Sequence, residues 1–159
     1  MDAKTVLKDS LAMADMVSLG YLNDMSDAEL MQRPHPDCNH LNWQIGHLIA
    51  SENQMMSGIH PGMPALPEGF AAKYGRETVG DDDPAHFETK ESLMAIFKNQ
   101  RTATLGFLDQ LTPEQLDEPT GIDYAPTCGA LLSLLGSHWL MHCGQWVVVR
   151  RIHNKPVVM

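Results

Sequence analysis

Four stretches of the chain place apolar residues three or four positions apart, which is the spacing of an amphipathic helix. They cover residues 5–21, 40–57, 90–111 and 127–153. Asn39, Thr89 and Thr127 stand just before the last three, where each side chain can cap the first turn of a helix. Alternation of apolar and polar residues, which would indicate β-strands, is nearly absent. The pattern predicts an all-α fold, a four-helix bundle.

The segments between these helices differ in length and character. Ser26 with Glu29, and Thr112 with Gln115, have the spacing of a capping box, so each pair predicts a short helical turn. Residues 59–88 are rich in Gly, Pro and Asp and are far longer than a usual connection between antiparallel helices. Such a crossover can run the length of a helix of about 27 Å and return the chain in parallel. The second and third helices are therefore predicted to run in the same direction.

Length and composition favour one globular domain. The 159 residues, 43% of them hydrophobic, can bury one continuous core, so we expect a single domain over residues 1–159. No apolar run approaches the roughly 20 residues that a membrane-spanning helix needs. Charged residues interrupt the N-terminal apolar positions, unlike a secretory signal, so we expect a cytoplasmic protein. Cys38, Cys128 and Cys143 form no C-x-x-C pair and are predicted to be reduced thiols.

The charge of the chain bears on its partners. Its 20 acidic and 11 basic residues give a formal net charge of −9, which would repel a nucleic-acid backbone. Basic residues cluster only at Arg150, Arg151 and Lys155, where they complement the C-terminal end of the last helix. We expect no nucleic-acid or membrane partner, and instead a small-molecule substrate. A homodimer is compatible with the apolar helix surfaces, but no sequence feature requires one.

Three histidines lie within the apolar helices. His138 and His142 are four positions apart, so both imidazoles project from one face, and His47 lies in the second helix between Ile45 and Leu48. Burying unpartnered imidazoles is costly. Three imidazoles with an open coordination position are typical of catalytic zinc, and imidazole also suits nickel, copper and iron. The alternative is that these are core histidines bonded to backbone carbonyls, and spacing alone does not decide between the two.

Other polar residues are weaker candidates. His40, at a helix start, is predicted to be exposed, and the histidines of loops and termini to be solvated: His35, His60, His86 and His153. Ser51 and Gln145 lie one turn from His47 and from His142 and are candidates to contact those rings, but ordinary polar side chains without such a role are the favoured interpretation. Glu52 could act as a general base but points largely away from the face of His47. Trp139 stands where an H-E-x-x-H hydrolase motif has its glutamate, so the sequence identifies no catalytic residue and no organic cofactor site.

Two segments together carry a family resemblance. Residues 43–52 read W-x-x-G-H-L-x-x-x-E, and residues 138–151 read H-x-x-x-H-x-x-Q-x-x-x-x-R-R. With the capped turns, they make nearly the whole chain resemble the DinB-like (DinB/YfiT) superfamily. The resemblance implies a bundle of up-down-down-up topology and a metal site on His47, His138 and His142. Members of that superfamily include thiol-dependent transferases and isomerases and proteins assigned as hydrolases, so a reaction is not fixed.

Two functional hypotheses follow. In the first, the chain is a metal-dependent enzyme, a hydrolase or a thiol-dependent transferase, in which a divalent zinc, nickel or iron ion activates water or a low-molecular-weight thiol. Residues of the first helix and of the crossover, residues 59–88, would line the opening. In the second, the chain is a non-catalytic metal-binding bundle that acts as a ligand-binding or structural dimeric protein, in which the ion ties two helices together.

Overall fold

The computed structural model describes residues 2–156 and 158. The α-helices are α1 (Ala3–Leu22), α2 (Asp27–Leu30), α3 (Leu41–Ser57), α4 (Phe70–Lys73), α5 (Lys90–Gln110) and α6 (Cys128–Ile152). Short 3-10 helices cover Arg76–Thr78, Pro84–His86 and Glu114–Asp117. Within the described residues there is no strand, only one isolated bridge between Pro119 and Thr127. The predicted all-α class is confirmed.

Most helix starts follow the predicted caps. Ser26 and Glu29 form the reciprocal capping box that starts α2. Thr89 caps α5 and Thr127 caps α6, each through its side-chain oxygen. These caps satisfy amide groups of the first turn that have no partner within the helix. The start of each of these helices could therefore be assigned from local sequence.

The start of α3 differs from the prediction. His40, not Asn39, is the N-cap, and its ring Nδ1 accepts a hydrogen bond from the backbone amide of Trp43 at 3.0 Å. The His40 side chain is also fully buried, with the edge of its ring against Phe87 at a centroid distance of 4.7 Å. The expectation of an exposed His40 was wrong because the crossover, which contains Phe87, folds back over this helix end.

Each long helix packs against two of the others. α1 lies against α5 and α6, and α3 lies against the same two helices. The buried apolar side chains form two clusters, one that includes Trp139 and Trp146 and another that includes Leu11 and Leu132. Full burial of a large apolar side chain contributes about 1.5–3 kcal/mol, so these clusters are the main source of stability.

A buried set of charges joins all four long helices. Arg101 of α5 forms ion pairs with Asp15 of α1 at 3.1 Å and with Glu52 of α3 at 3.3 Å. Glu52 also accepts hydrogen bonds from Thr104 of α5 and from the indole of Trp139 of α6. Burial raises the pKa of Asp15 to about 6, and Arg101 only partly offsets this effect. The Glu52 carboxylate is thus held in the core.

Part of the crossover is fixed on α3 at Gly46. A Cβ atom at Gly46 would lie 2.2 Å from ring atoms of Tyr74, so only glycine lets this ring pack directly on the helix backbone. The Tyr74 hydroxyl donates to Asn42 Oδ1 at 3.3 Å, and the indole of Trp43 donates to Thr78 Oγ1 at 2.9 Å. These contacts hold the segment that contains α4 and Arg76–Thr78 beside α3.

Two simpler features complete the fold. Cys38 is half-buried, Cys128 and Cys143 are buried, and none of the three forms a disulfide within the described chain. In the portion covered by the structure, the helices are too short or too polar for any of them to span a lipid bilayer.

Candidate metal centre

Three histidine rings meet between α3 and α6. α3 presents His47, and α6 presents His138 and His142, one helical turn apart. One ring nitrogen from each residue lies within 4.8 Å of the other two. The ring centroids are 5.6, 5.8 and 5.2 Å apart. We call these three residues the histidine cluster.

The electrostatics of the cluster favour neutral imidazoles. All three side chains are half-buried, and His142 lies deepest. Burial lowers the pKa of His47 and of His138, with His47 adding a repulsive contribution at His138. Burial and then the two neighbouring rings lower the pKa of His142 to about 4. At neutral pH the rings therefore carry free lone pairs, as metal ligands require.

Gln44 sets the tautomer of His142. Its side-chain oxygen faces the indole N–H of Trp146 at 3.0 Å and Nδ1 of His142 at 2.9 Å. An indole N–H can only donate, so the Gln44 atom that faces it must be the carbonyl oxygen. That oxygen can only accept, so His142 carries its proton on Nδ1. The lone pair of His142 is consequently on Nε2.

Two further contacts position His47. Its ring stacks on Trp43 with a centroid distance of 5.0 Å and an interplanar angle of 8°. Ser51 Oγ, one of the two weaker candidates, lies 3.5 Å from His47 Nε2, which is a long contact. Gln145, the other candidate, instead accepts a hydrogen bond from the Gln44 amide at 3.0 Å. Gln145 therefore acts on the cluster only through Gln44.

Comparison with known proteins places the chain in a family. A family model described as the DinB superfamily matches residues 11–146. The chain belongs to the DinB superfamily. A conserved protein from Enterococcus faecalis, known from its crystal structure, is 18% identical and superposes with a TM-score of 0.72, covering 98% of this chain and 99% of its own. At that identity the likeness shows the fold alone, and no curated protein matches this chain.

The other predicted candidates lie away from the cluster. Glu52 is buried among Arg101, Thr104 and Trp139, so it is not available as a base beside the histidines. His35 and His86 are exposed, as expected of solvated side chains. His60 and His153 are half-buried instead, because each has a neighbour to pack on or pair with.

Two cavities open on either side of His47, and both also contact Ser51 and Gln54. The first cavity, of about 520 Å³, is also lined by His138 and by apolar or uncharged side chains: Met55, Thr120, Ile122, Tyr124 and Leu134. The second cavity, of about 480 Å³, lies between α3 and the crossover, with these further lining residues: Trp43, Ala50, Asn53, Leu66, Ala71, Tyr74, Gly75 and Arg76.

These linings correct one expectation and bear out another. The crossover lines the second cavity, as expected. The first helix does not line either cavity within the described residues, because α1 lies against α5 and α6 rather than against α3. The segment that contains Thr120 and Tyr124, between Glu114–Asp117 and α6, takes that place. No sequence pattern predicted this segment as part of the lining, although Gly121, with its φ of 76°, marks a sharp turn there.

Proposed function

We propose that this member of the DinB superfamily is a metal-dependent enzyme, a hydrolase or a thiol-dependent transferase that acts on a small molecule. The observation that carries the proposal is the meeting of the three rings of the histidine cluster beside two cavities. Three imidazoles leave a coordination position open for exchange, which is typical of catalytic rather than structural sites.

The donor set fits a divalent ion of the zinc, nickel or iron type. His47, His138 and His142 would hold it through neutral nitrogens, as their lowered pKa values allow. When bound, such an ion lowers the pKa of a water molecule or of a small thiol and so supplies a nucleophile at neutral pH. The protein itself orients His142 through Gln44 and His47 through Trp43.

The helix arrangement supports the site. We propose one domain over residues 1–159 with up-down-down-up topology. Asn42, near the start of α3, donates to the carbonyl of Glu88, just before α5. Gln100, midway along α5, donates to the carbonyl of Ile49. Because the starts of α3 and α5 are in contact, and so are their middles, these bonds support a parallel arrangement of the two helices, which the crossover connects. The ion pair between Lys8 of α1 and Asp109, near the end of α5, supports antiparallel α1 and α5.

One observation favours the alternative, a non-catalytic metal-binding protein. The structure, over the residues it describes, places no carboxylate on the lining of either cavity, and Glu52 is held by Arg101 in the core. A general base of the kind that metal hydrolases use is thus lacking. Exposed apolar side chains on α1 and α6, among them Met16 and Met141, would suit a dimer interface. In this case the ion would tie α3 to α6.

The first experiment measures metal content. Protein purified without added metal is expected to contain about one divalent ion per chain by elemental analysis. Replacement of all three residues of the histidine cluster by Ala should remove it, while the control with exposed His35 and His86 replaced should retain it. Retention by the triple variant would contradict the site.

The second experiment separates catalysis from structure. Metal-loaded protein is screened against generic esters and against pairs of a thiol and an electrophile, with His142→Ala as the control. Turnover that the wild type shows and the variant lacks would support the enzyme, and equal turnover would remove the metal mechanism. A large fall in melting temperature on chelation, without activity, would favour the alternative, because metal binding then acts as folding free energy.

A further inference from the structure

The lining of the second cavity includes an exposed arginine that has no partner among the residues that the structure describes. Arg76 lines this cavity together with His47, Trp43 and Leu66. Its guanidinium forms no ion pair, and no side-chain hydrogen bond, with any described residue. Arg33, Arg101 and Arg150 each pair with an aspartate, and Arg151, which like Arg76 has no ion pair among the described residues, lies outside both cavities. A free guanidinium in a cavity wall is available to a ligand.

The backbone that carries Arg76 is held firmly in place. Two residues earlier, Tyr74 fills the space that Gly46 leaves on α3. Two residues later, the Thr78 hydroxyl accepts from the indole of Trp43 at 2.9 Å and donates to the carbonyl of Lys73 at 2.8 Å. The same Trp43 stacks on His47. Trp43 therefore contacts both the segment that carries Arg76 and His47 of the histidine cluster.

The charge around this cavity is unusual for so acidic a chain. The formal net charge is −9, yet Arg76 is the one charged side chain, histidines aside, among the described residues that line the two cavities. The acidic groups nearest to Arg76 along the chain are not part of the lining: Glu77 is exposed beside Arg76, and Asp81 pairs with His86 at 2.7 Å. A negatively charged ligand would meet attraction here and no facing carboxylate.

We propose that the second cavity binds a small organic carboxylate, with its anionic group on Arg76 and its apolar body against Trp43 and Leu66. A guanidinium matches a carboxylate through two parallel hydrogen bonds, and indole and leucine side chains suit an aromatic or aliphatic body. The ligand would lie beside His47, so the inference rests on the proposed function and names its substrate class. A cavity of about 480 Å³ accommodates a molecule of this kind.

The test measures binding, independently of activity. 3-Phenylpropanoate is titrated into the protein by calorimetry, in parallel with the uncharged 3-phenylpropanamide. We expect saturable binding of the carboxylate and an affinity about tenfold lower in Arg76→Gln, with partial recovery in Arg76→Lys. Arg151→Gln, at an exposed position on α6 outside both cavities, is the matched control and should bind as the wild type does.

Several outcomes would overturn the inference: no saturable binding by the wild type, equal affinity for the acid and the amide, or an Arg76→Gln affinity within twofold of the wild type. Each titration is repeated after chelation, because the contribution of Arg76 requires no metal ion. If Arg76→Gln lowers the affinity for the carboxylate tenfold but the purified protein holds no metal, the proposed function is contradicted and this inference is not. If the protein holds metal but Arg76→Gln leaves the affinity unchanged, this inference is contradicted and the proposed function is not.

Discussion

The side-chain amide of Gln44 meets four partners at once. Its oxygen accepts from His142 and Trp146, and its nitrogen donates to the carbonyl of Asn39 and to Gln145. With only 1% of its surface exposed, the amide can exchange none of these bonds for water. The orientation of the His142 ring is therefore a property of the folded protein before any ion binds.

Gln44→Leu should weaken metal binding and stability together. It removes the acceptor of the His142 proton and leaves the buried indole N–H of Trp146 without a partner. We expect metal affinity to fall about 10- to 100-fold and the free energy of unfolding by about 1–3 kcal/mol. Competition with a metal indicator and urea unfolding measure the two quantities. Gln110→Leu, at an exposed position near the end of α5, is the control. Unchanged metal affinity in Gln44→Leu would show that the tautomer is set otherwise.

At this scale the sequence predicted the histidines better than their neighbours. His47, His138 and His142 could be identified as candidates because each interrupts an apolar helix face, where a polar ring needs a partner, and the family resemblance then favoured a metal site. Gln44 lies three positions before His47 on the same face and offered the same signal. Its partners Gln145 and Trp146, however, are on another helix, and no local pattern pairs residues about a hundred positions apart. The burial of His40 depends on Phe87, which is also distant in sequence, so it could not be predicted from local pattern either.

The crossover is the element whose internal structure the sequence predicted least. Its length and composition predicted a connection that spans the fold, and its residues were expected to line the opening, but the formation of α4 and Arg76–Thr78 within it was not predicted. Helices of four and three residues are too short to show a periodic pattern. Their position depends on one packing contact, Tyr74 against Gly46, between residues of different elements. The long helices, in contrast, were predictable because periodicity and caps agree along many turns.

Gly46→Ala tests that packing contact. The added methyl group would lie 2.2 Å from the Tyr74 ring, so the ring and its segment must move. We expect a loss of about 1–3 kcal/mol in the free energy of unfolding, together with weaker carboxylate binding at Arg76. Gly106→Ala, where a Cβ atom meets nothing within 4 Å, should instead leave stability unchanged or raise it by up to about 1 kcal/mol. Equal effects of the two changes would show that Tyr74 adapts easily.

Across the whole molecule, α3 separates two polar systems. His47 faces the cavities with Ser51, whereas Glu52, one position further, points into the core toward Arg101. Trp139 of α6 turns the opposite way from His138 and donates to Glu52. The same two helices therefore carry the histidine cluster on one face and the buried charges on the other. Any shift of α3 against α6 would disturb both systems, so the buried charges help to keep the three rings of the histidine cluster together.

Asp15 makes the stability of the whole molecule depend on pH in a defined direction. Its pKa is about 6 in the folded protein, against 3.8 as the ordinary value, because burial outweighs the attraction of Arg101. Between these values the folded state holds a proton that the unfolded state has lost, so the contribution of Asp15 to stability falls as pH rises from about 4 to about 6. Above pH 6, Asp15 is ionised in both states, and its burial lowers the free energy of unfolding by the full amount.

Asp15→Asn isolates this contribution because the other titrating groups are shared by both proteins. The free energy of unfolding of the wild type, minus that of the variant, should increase by about 1–3 kcal/mol as the pH is lowered from 7 to 4. Urea unfolding at one-unit pH steps measures the difference. A constant difference across this range would mean that Arg101 keeps Asp15 ionised, and the buried set would then hold two carboxylates on one guanidinium. If the difference instead decreases as the pH is lowered, the ion pair with Arg101 stabilises the folded protein by more than the burial of Asp15 destabilises it.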